Sequence, residues 1–305
     1  MSKEINQELN NKGEIIISNE VKNLKTHTEK EGHQATLYAE SVFQIGSLQV
    51  SNALLISWVT VLIIIILSLS LRLSLKKIPG KLQHFFELVY EGALSLCDQV
   101  TNNRKKSEKL FPISISLFFF ILVNNWLGLI PFGGLGTIQN TGHGEGFIPF
   151  LRSGTADINT TIALAVITVV GANIFGIISI GLWKMFNKYV NLKAIGKMVL
   201  EIKKNPMGLI IAPISFFVGL LEIIGEFAKI ASLSFRLFGN IFAGEVLLAS
   251  MAALFAYILP TPFLFLEIMI GVIQALVFSM LTLVYFTIAS EDHEEHNEKE
   301  SLAHA

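Results

Sequence analysis

Between residues 207 and 289, long apolar runs contain the charged or carboxamide side chains Glu222, Glu226, Lys229, Arg236, Asn240, Glu245, Glu267 and Gln274. On a helix advancing about 100° per residue, the first five share one sector about 80° wide. Glu245 falls on roughly the opposite side from Arg236, and Glu267 and Gln274 share a face of the following helix. Each charge would cost about 2.5–3.5 kcal/mol at a membrane centre. The charged face must therefore be paired, hydrated or turned to a partner. Carboxylates can take up and release protons, whereas the Arg236 guanidinium stays protonated under physiological conditions. A fixed cation among titratable acids blocks a proton and attracts a passing carboxylate. That is the chemistry of an ion path. Blander roles stand beside it: Glu226 and Lys229 could reach an interface from a helix end, and Gln274 could make an ordinary interhelix hydrogen bond.

These side chains need elements that hold them at membrane depth. Apolar stretches of about 20 residues, the length that crosses a hydrocarbon core of roughly 30 Å, run over about 52–73, 111–130 and 160–183. A longer apolar stretch, 207–259, is interrupted by the charges above, and Pro260 and Pro262 separate it from a last span at 263–289. The 207–259 stretch predicts either one long helix, oblique to the membrane, or two segments meeting near 226–230. Pro79 and Gly80 break the chain after the first span. Residues 81–100, KLQHFFELVYEGALSLCDQV, are too polar to cross, and their helical spacing predicts a helix on the membrane surface. Residues 1–34 read as a flexible polar tail, 33–50 as a stretch at the interface, 132–156 as a loop, and 290–305 as a solvated acidic tail. The expected fold class is all-α: about five crossings, a surface amphipathic helix, and a long tilted C-terminal hairpin.

Composition agrees. Of 305 residues, 52% are hydrophobic and 15% charged, below the roughly 25% charged of a soluble domain. A net charge of -1 gives no reason to expect nucleic acid. The single cysteine, Cys97, permits no internal disulfide and reads as a small half-buried side chain. No metal or cofactor site is expected; His293 and His296 belong to the acidic tail. No phosphate-binding loop appears, so the chain is not expected to be an enzyme. The N-terminus lacks the apolar core of a cleavable signal. Lys and Arg crowd the connections at 72–81, 104–109 and 184–204, while 132–156 carries only Arg152. The positive-inside rule then puts the N-terminus outside and the C-terminus in the cytoplasm.

The stretch LEIIGEFAKIASLSFRLFGNIFAGEVLL closely resembles the signature of subunit a of the F-type ATP synthases, as does EIMIGVIQALVFSMLTLVYFTIASEDH. The likeness extends through TADINTTIAL at 155–164 and NNWLGLIP at 124–131. It covers about 35–293. The resemblance implies a stator that works against a rotating ring of c subunits, within a complex that includes the b-subunit peripheral stalk; the long N-terminal tail and NNWLGLIP favour the cell membrane of a bacterium, with an organellar inner membrane as the alternative. It implies that Arg236 faces the ring's carboxylates, and that Glu222, Asn240, Glu245, Glu267 and Gln274 line two aqueous half-channels. Where the family often pairs an acid with a histidine, this chain has Glu at both 245 and 267. A secondary ion transporter and a non-transporting membrane scaffold are the competing classes. The transporter would need paired interrupted helices in two halves, and no internal repeat is seen.

Overall fold

The computed structural model describes residues 41–46, 48–76, 80–129, 136–140, 145–149, 152–183, 185, 208–255 and 258–290. The tail at 1–34, the basic connection at 184–204 and the acidic residues beyond 290 lie largely or wholly outside them.

Six helices carry the fold: α1 (Asn52–Ser74), α2 (Lys81–Thr101), α3 (Arg104–Leu129), α4 (Ile158–Ile180), α5 (Gly208–Leu254) and α6 (Pro260–Ala289). All except α2 are long and apolar enough to cross a membrane. Ser51 caps α1, its hydroxyl accepting from the Leu54 N–H at 3.3 Å. Beyond that cap α1 is apolar on every side, and Leu62, Ile65, Ile66 and Leu69 are exposed. Such a helix lies at the rim of the bundle, where hydrocarbon replaces protein.

Two short hairpins lie outside the spans. The stretch expected at the interface contains an antiparallel hairpin, β1 (Ser41–Ile45) with β2 (Leu48–Ser51), turning at Gly46 with φ 64. A left-handed φ suits a residue without Cβ. The supposed loop at 132–156 contains another hairpin, β3 (Gly136–Asn140) with β4 (Glu145–Pro149), in which Ile138 faces Phe147. Both are too short to compete with helix signals, and their alternation lasts only four or five residues.

α3, α4, α5 and α6 enclose one apolar core formed by Ile121, Ala165, Val169, Leu233, Leu237, Ala275 and Phe278. Hydroxyls tie the helices where no water competes: Ser114 and Ser279 lie 2.7 Å apart across α3 and α6, and Thr161 and Ser234 lie 3.1 Å apart across α4 and α5. A second core of Leu94, Cys97, Leu110, Phe111, Ala172, Leu283 and Phe286 fixes α2 onto the bundle. Cys97, read from sequence as half-buried, is only 4% exposed because it faces this core.

A buried 3-10 turn, Gly154–Ala156, is wedged against α1 and α3 just before α4. Asn124 accepts from the Gly154 N–H at 2.8 Å, and the Thr155 hydroxyl donates to the Asn125 carbonyl oxygen at 2.6 Å. A Cβ on Gly154 would come within 2.8 Å of the Ser57 hydroxyl and 2.9 Å of the Asn124 oxygen. Close approach is what the glycine provides there. Asp157 then caps α4 by accepting from the Asn159 N–H at 3.2 Å.

Candidate functional site

α5 is one uninterrupted helix of 47 residues, which removes the alternative of two segments meeting near 226–230. It has a buried side and an open side. Leu233, Ser234, Leu237, Phe238 and Ile241 face the bundle, while Phe227, Ala228, Ala231, Ser232 and Phe235 are exposed. Arg236 sits half-buried where the two sides meet. Among the described residues its one hydrogen bond is to the Ser232 hydroxyl one turn back, at 3.4 Å. No carboxylate among the described residues forms an ion pair with it. Next to it the open side is lined by small residues, and a Cβ on Gly225 or Gly239 would meet nothing within 4 Å. This chain's own core therefore does not require glycine at either position.

Asn240, one turn further along, donates through Nδ2 to the Gln274 Oε1 at 2.7 Å. This bridge joins α5 to α6 at the level of Arg236. Gln274 is buried, and its Nε2 has no hydrogen-bond partner among the described residues.

Two further acids lie beyond that bridge. Glu267 is 4% exposed, and its carboxylate rests directly against Gly244, where even a methyl group would overlap it. Its Oε1 has no hydrogen-bond partner among the described residues. Glu245, the next residue on α5, is held differently: its Oε2 accepts from Arg152 Nε at 3.1 Å. Arg152 is 8% exposed and lies two residues before the buried 3-10 turn. Sequence reasoning used Arg152 only as a charge count. The available signal was its isolation, as the only Lys or Arg in 132–156, three residues before the TADINTT motif.

Glu222 is half-buried on α5, about 21 Å from Arg236 along the helix, on the side opposite Glu245, which lies about 14 Å away. Glu226 and Lys229 form a third group. Their side chains pair at 2.8 Å, Asn173 of α4 donates to the other Glu226 oxygen at 3.2 Å, and the Lys229 ammonium lies 5.3 Å from the centre of the Tyr285 ring. Of the five side chains sharing the predicted sector, Glu226, Lys229 and Asn240 thus bond within the bundle, while Arg236 faces its open edge. One sector supports both roles because α4 and α6 cover only part of it. Among the described residues, no group of three or more His, Cys, Asp or Glu is arranged to hold a metal.

Five helices able to span a bilayer, with charged and titratable groups held among them, define a polytopic membrane protein. The chain matches the model of the ATP synthase A chain family over residues 54–287. It is 32% identical over 244 residues to the ATP synthase subunit a of Geotalea daltonii, covering 79% of this chain and 89% of that protein. It is 33% identical over 257 residues to the ATP synthase subunit a of Gloeobacter violaceus, covering 84% and 90%. The chain belongs to the ATP synthase A chain family.

Proposed function

We propose that this chain is the subunit a of a rotary F-type ATP synthase, a non-catalytic stator that passes protons to and from the carboxylates of a c-ring. The observation that carries the reading is Arg236: a permanent cation at the open edge of α5, with no described carboxylate paired to it and small residues beside it. A guanidinium in that position needs a counter-charge from outside the chain.

Two groups of acids lie on either side of it. A proton enters from the outer side through Glu245 and Glu267 and passes the Asn240–Gln274 bridge. It then neutralises a ring carboxylate, which can turn into lipid because its charge has gone. After nearly a full rotation the carboxyl reaches the inner side near Glu222 and releases the proton. Arg236 attracts the ionised form and separates the two paths. Glu267 Oε1 and Gln274 Nε2, unpartnered among the described residues, suit a moving proton, since buried polar atoms otherwise find partners. At about 70 Å, α5 exceeds a hydrocarbon core of about 30 Å twofold and must lie obliquely, which sets a long edge along the ring. Each proton crossing 100 mV supplies about 2.3 kcal/mol, so several act per ATP. The complex sits in a bacterial cell membrane, with the N-terminus outside, the C-terminus cytoplasmic and a b-subunit stalk holding the stator.

The test is Arg236→Ala in the assembled complex in proton-tight vesicles. Proton-driven ATP formation is expected to disappear; wild-type rates would overturn the assignment.

A further inference from the structure

We propose that the groove between the last turns of α1 and the first turns of α2 binds one phospholipid whose headgroup carries both a phosphate and a primary ammonium. The site is separate from the ion path, and its test does not involve Arg236.

α1 and α2 both pack on α3. α2 is anchored through its second half by Leu94 and Cys97, and Tyr90 sets its ring edge-on to Phe111 of α3, 4.8 Å between centres. A groove of about 500 Å³ is left between the first half of α2 and α1, within the roughly 300–1,000 Å³ of small-ligand sites. Leu67, Leu71 and Leu75 line it as one stripe of α1, four residues apart, and Phe86 lines it from α2. Such walls suit an acyl chain. At 23 residues α1 is about 35 Å long, slightly more than a hydrocarbon core of about 30 Å. Its last turn and the start of α2 therefore lie among headgroups.

The polar end of the groove is closed by Gln83. Its carboxamide accepts from the Lys76 N–H at 3.1 Å and donates to the Lys76 carbonyl at 3.2 Å. The same Nε2 donates to Glu87 Oε1 at 2.9 Å. Glu87 thus lines a mainly apolar groove with a neutral amide as its hydrogen-bond partner, and it forms no ion pair with a described cation. An acyl chain filling the groove removes water from beside this carboxylate, and a charge that loses water needs a counter-charge. A headgroup that is only anionic sets like charge against it; an ammonium supplies the opposite one. The phosphate has its own partners. Arg72, Lys76 and Lys81 are exposed near this end, with the Lys76 backbone fixed by Gln83 and Lys81 two residues before Gln83 on α2. An acid and bases at one rim match the two charges of one headgroup.

The experiment uses the assembled membrane complex in phosphatidylcholine vesicles. These carry a trace of phosphatidylethanolamine or phosphatidylglycerol, each with the same photoactivatable acyl chain. After illumination, mass spectrometry gives the labelling of Leu67, Leu71, Leu75 and Phe86 relative to the lipid-facing Leu62, Ile65 and Ile66, whose labelling also reports that each variant is folded in the bilayer. In wild type the ratio is expected to be at least about threefold higher for the ethanolamine probe than for the glycerol probe, the scale of one exposed ion pair. Glu87→Gln should bring the two probes level, and Glu87→Lys should reverse their order. Equal ratios in wild type, or a preference unchanged in Glu87→Lys, would overturn the site. So would an unlabelled groove beside a labelled outer face of α1, which would mean that a partner subunit covers it.

Discussion

Arg236 and Arg152 are two guanidiniums in one apolar bundle, and their surroundings separate their work. Arg152 is buried against Glu245, while Arg236 forms no ion pair with a described carboxylate and borders an open helix face. The first was hidden in the sequence because its partner is 93 residues away, and no periodicity reaches across that separation. Arg236, Asn240 and Gln274 were legible because a helix repeats its faces every few residues, so charges in apolar sequence declare a side. Glu267 was legible as an acid in an apolar run, but its seat was not, since Gly244 lies on another helix. That seat makes a prediction. In Gly244→Ala the new methyl must displace the Glu267 carboxylate. Crowding of this kind costs about 1–3 kcal/mol, so the fold should survive with a lowered Tm. Proton-driven ATP synthesis should nevertheless be largely lost; a wild-type rate in the variant would show that the seat does not matter.

The long elements were read from apolar length, and that signal gave five spans, as the structure has; the short hairpins gave too few alternating residues to register. Helix α2 shows how an element off the spanning set is anchored. Its C-terminus closes on Asn102, at φ 49, whose N–H donates to the Asp98 carbonyl at 2.9 Å. The Asp98 side chain accepts from Arg104 at the start of α3, at 2.6 Å. The neighbouring Ser107 hydroxyl and then Arg104 hold the Asp98 carboxyl below the usual carboxylate range. A carboxyl lowered on folding stabilises the fold above its unfolded pKa, about 4, and that contribution fades as pH falls through the lowered value. Asp98→Asn should therefore reduce Tm at neutral pH, and the gap from wild type should close as the medium is acidified below about pH 4. A gap independent of pH would assign the effect to local shape instead of charge.

At the scale of the molecule, charge and exposure point the same way. α1 turns apolar side chains outward along its length, as a lipid-facing rim requires, whereas the open face of α5 alternates bulky Phe227 and Phe235 with small Ala228, Ala231 and Ser232. A surface shaped by small residues allows another helix to approach closely, which lipid contact alone does not demand. The family and the five spans were legible from sequence motifs and hydropathy; which edge of α5 stays uncovered was not, because it depends on where α4 and α6 settle. The central claim is that this edge, with Arg236 at its border, faces the rotor. It is tested most directly by placing cysteine at Ser232 and at successive positions along the outer helix of the c subunit, then oxidising the assembled complex. The native Cys97 is buried and lies on another helix. The expected result is a disulfide-linked product between the two subunits at a few ring positions level with the ring carboxylate, with rotation blocked until reduction. If no ring position cross-links while the Ser232→Cys thiol reacts freely with a lipid-soluble reagent, α5 faces lipid there and the account is contradicted.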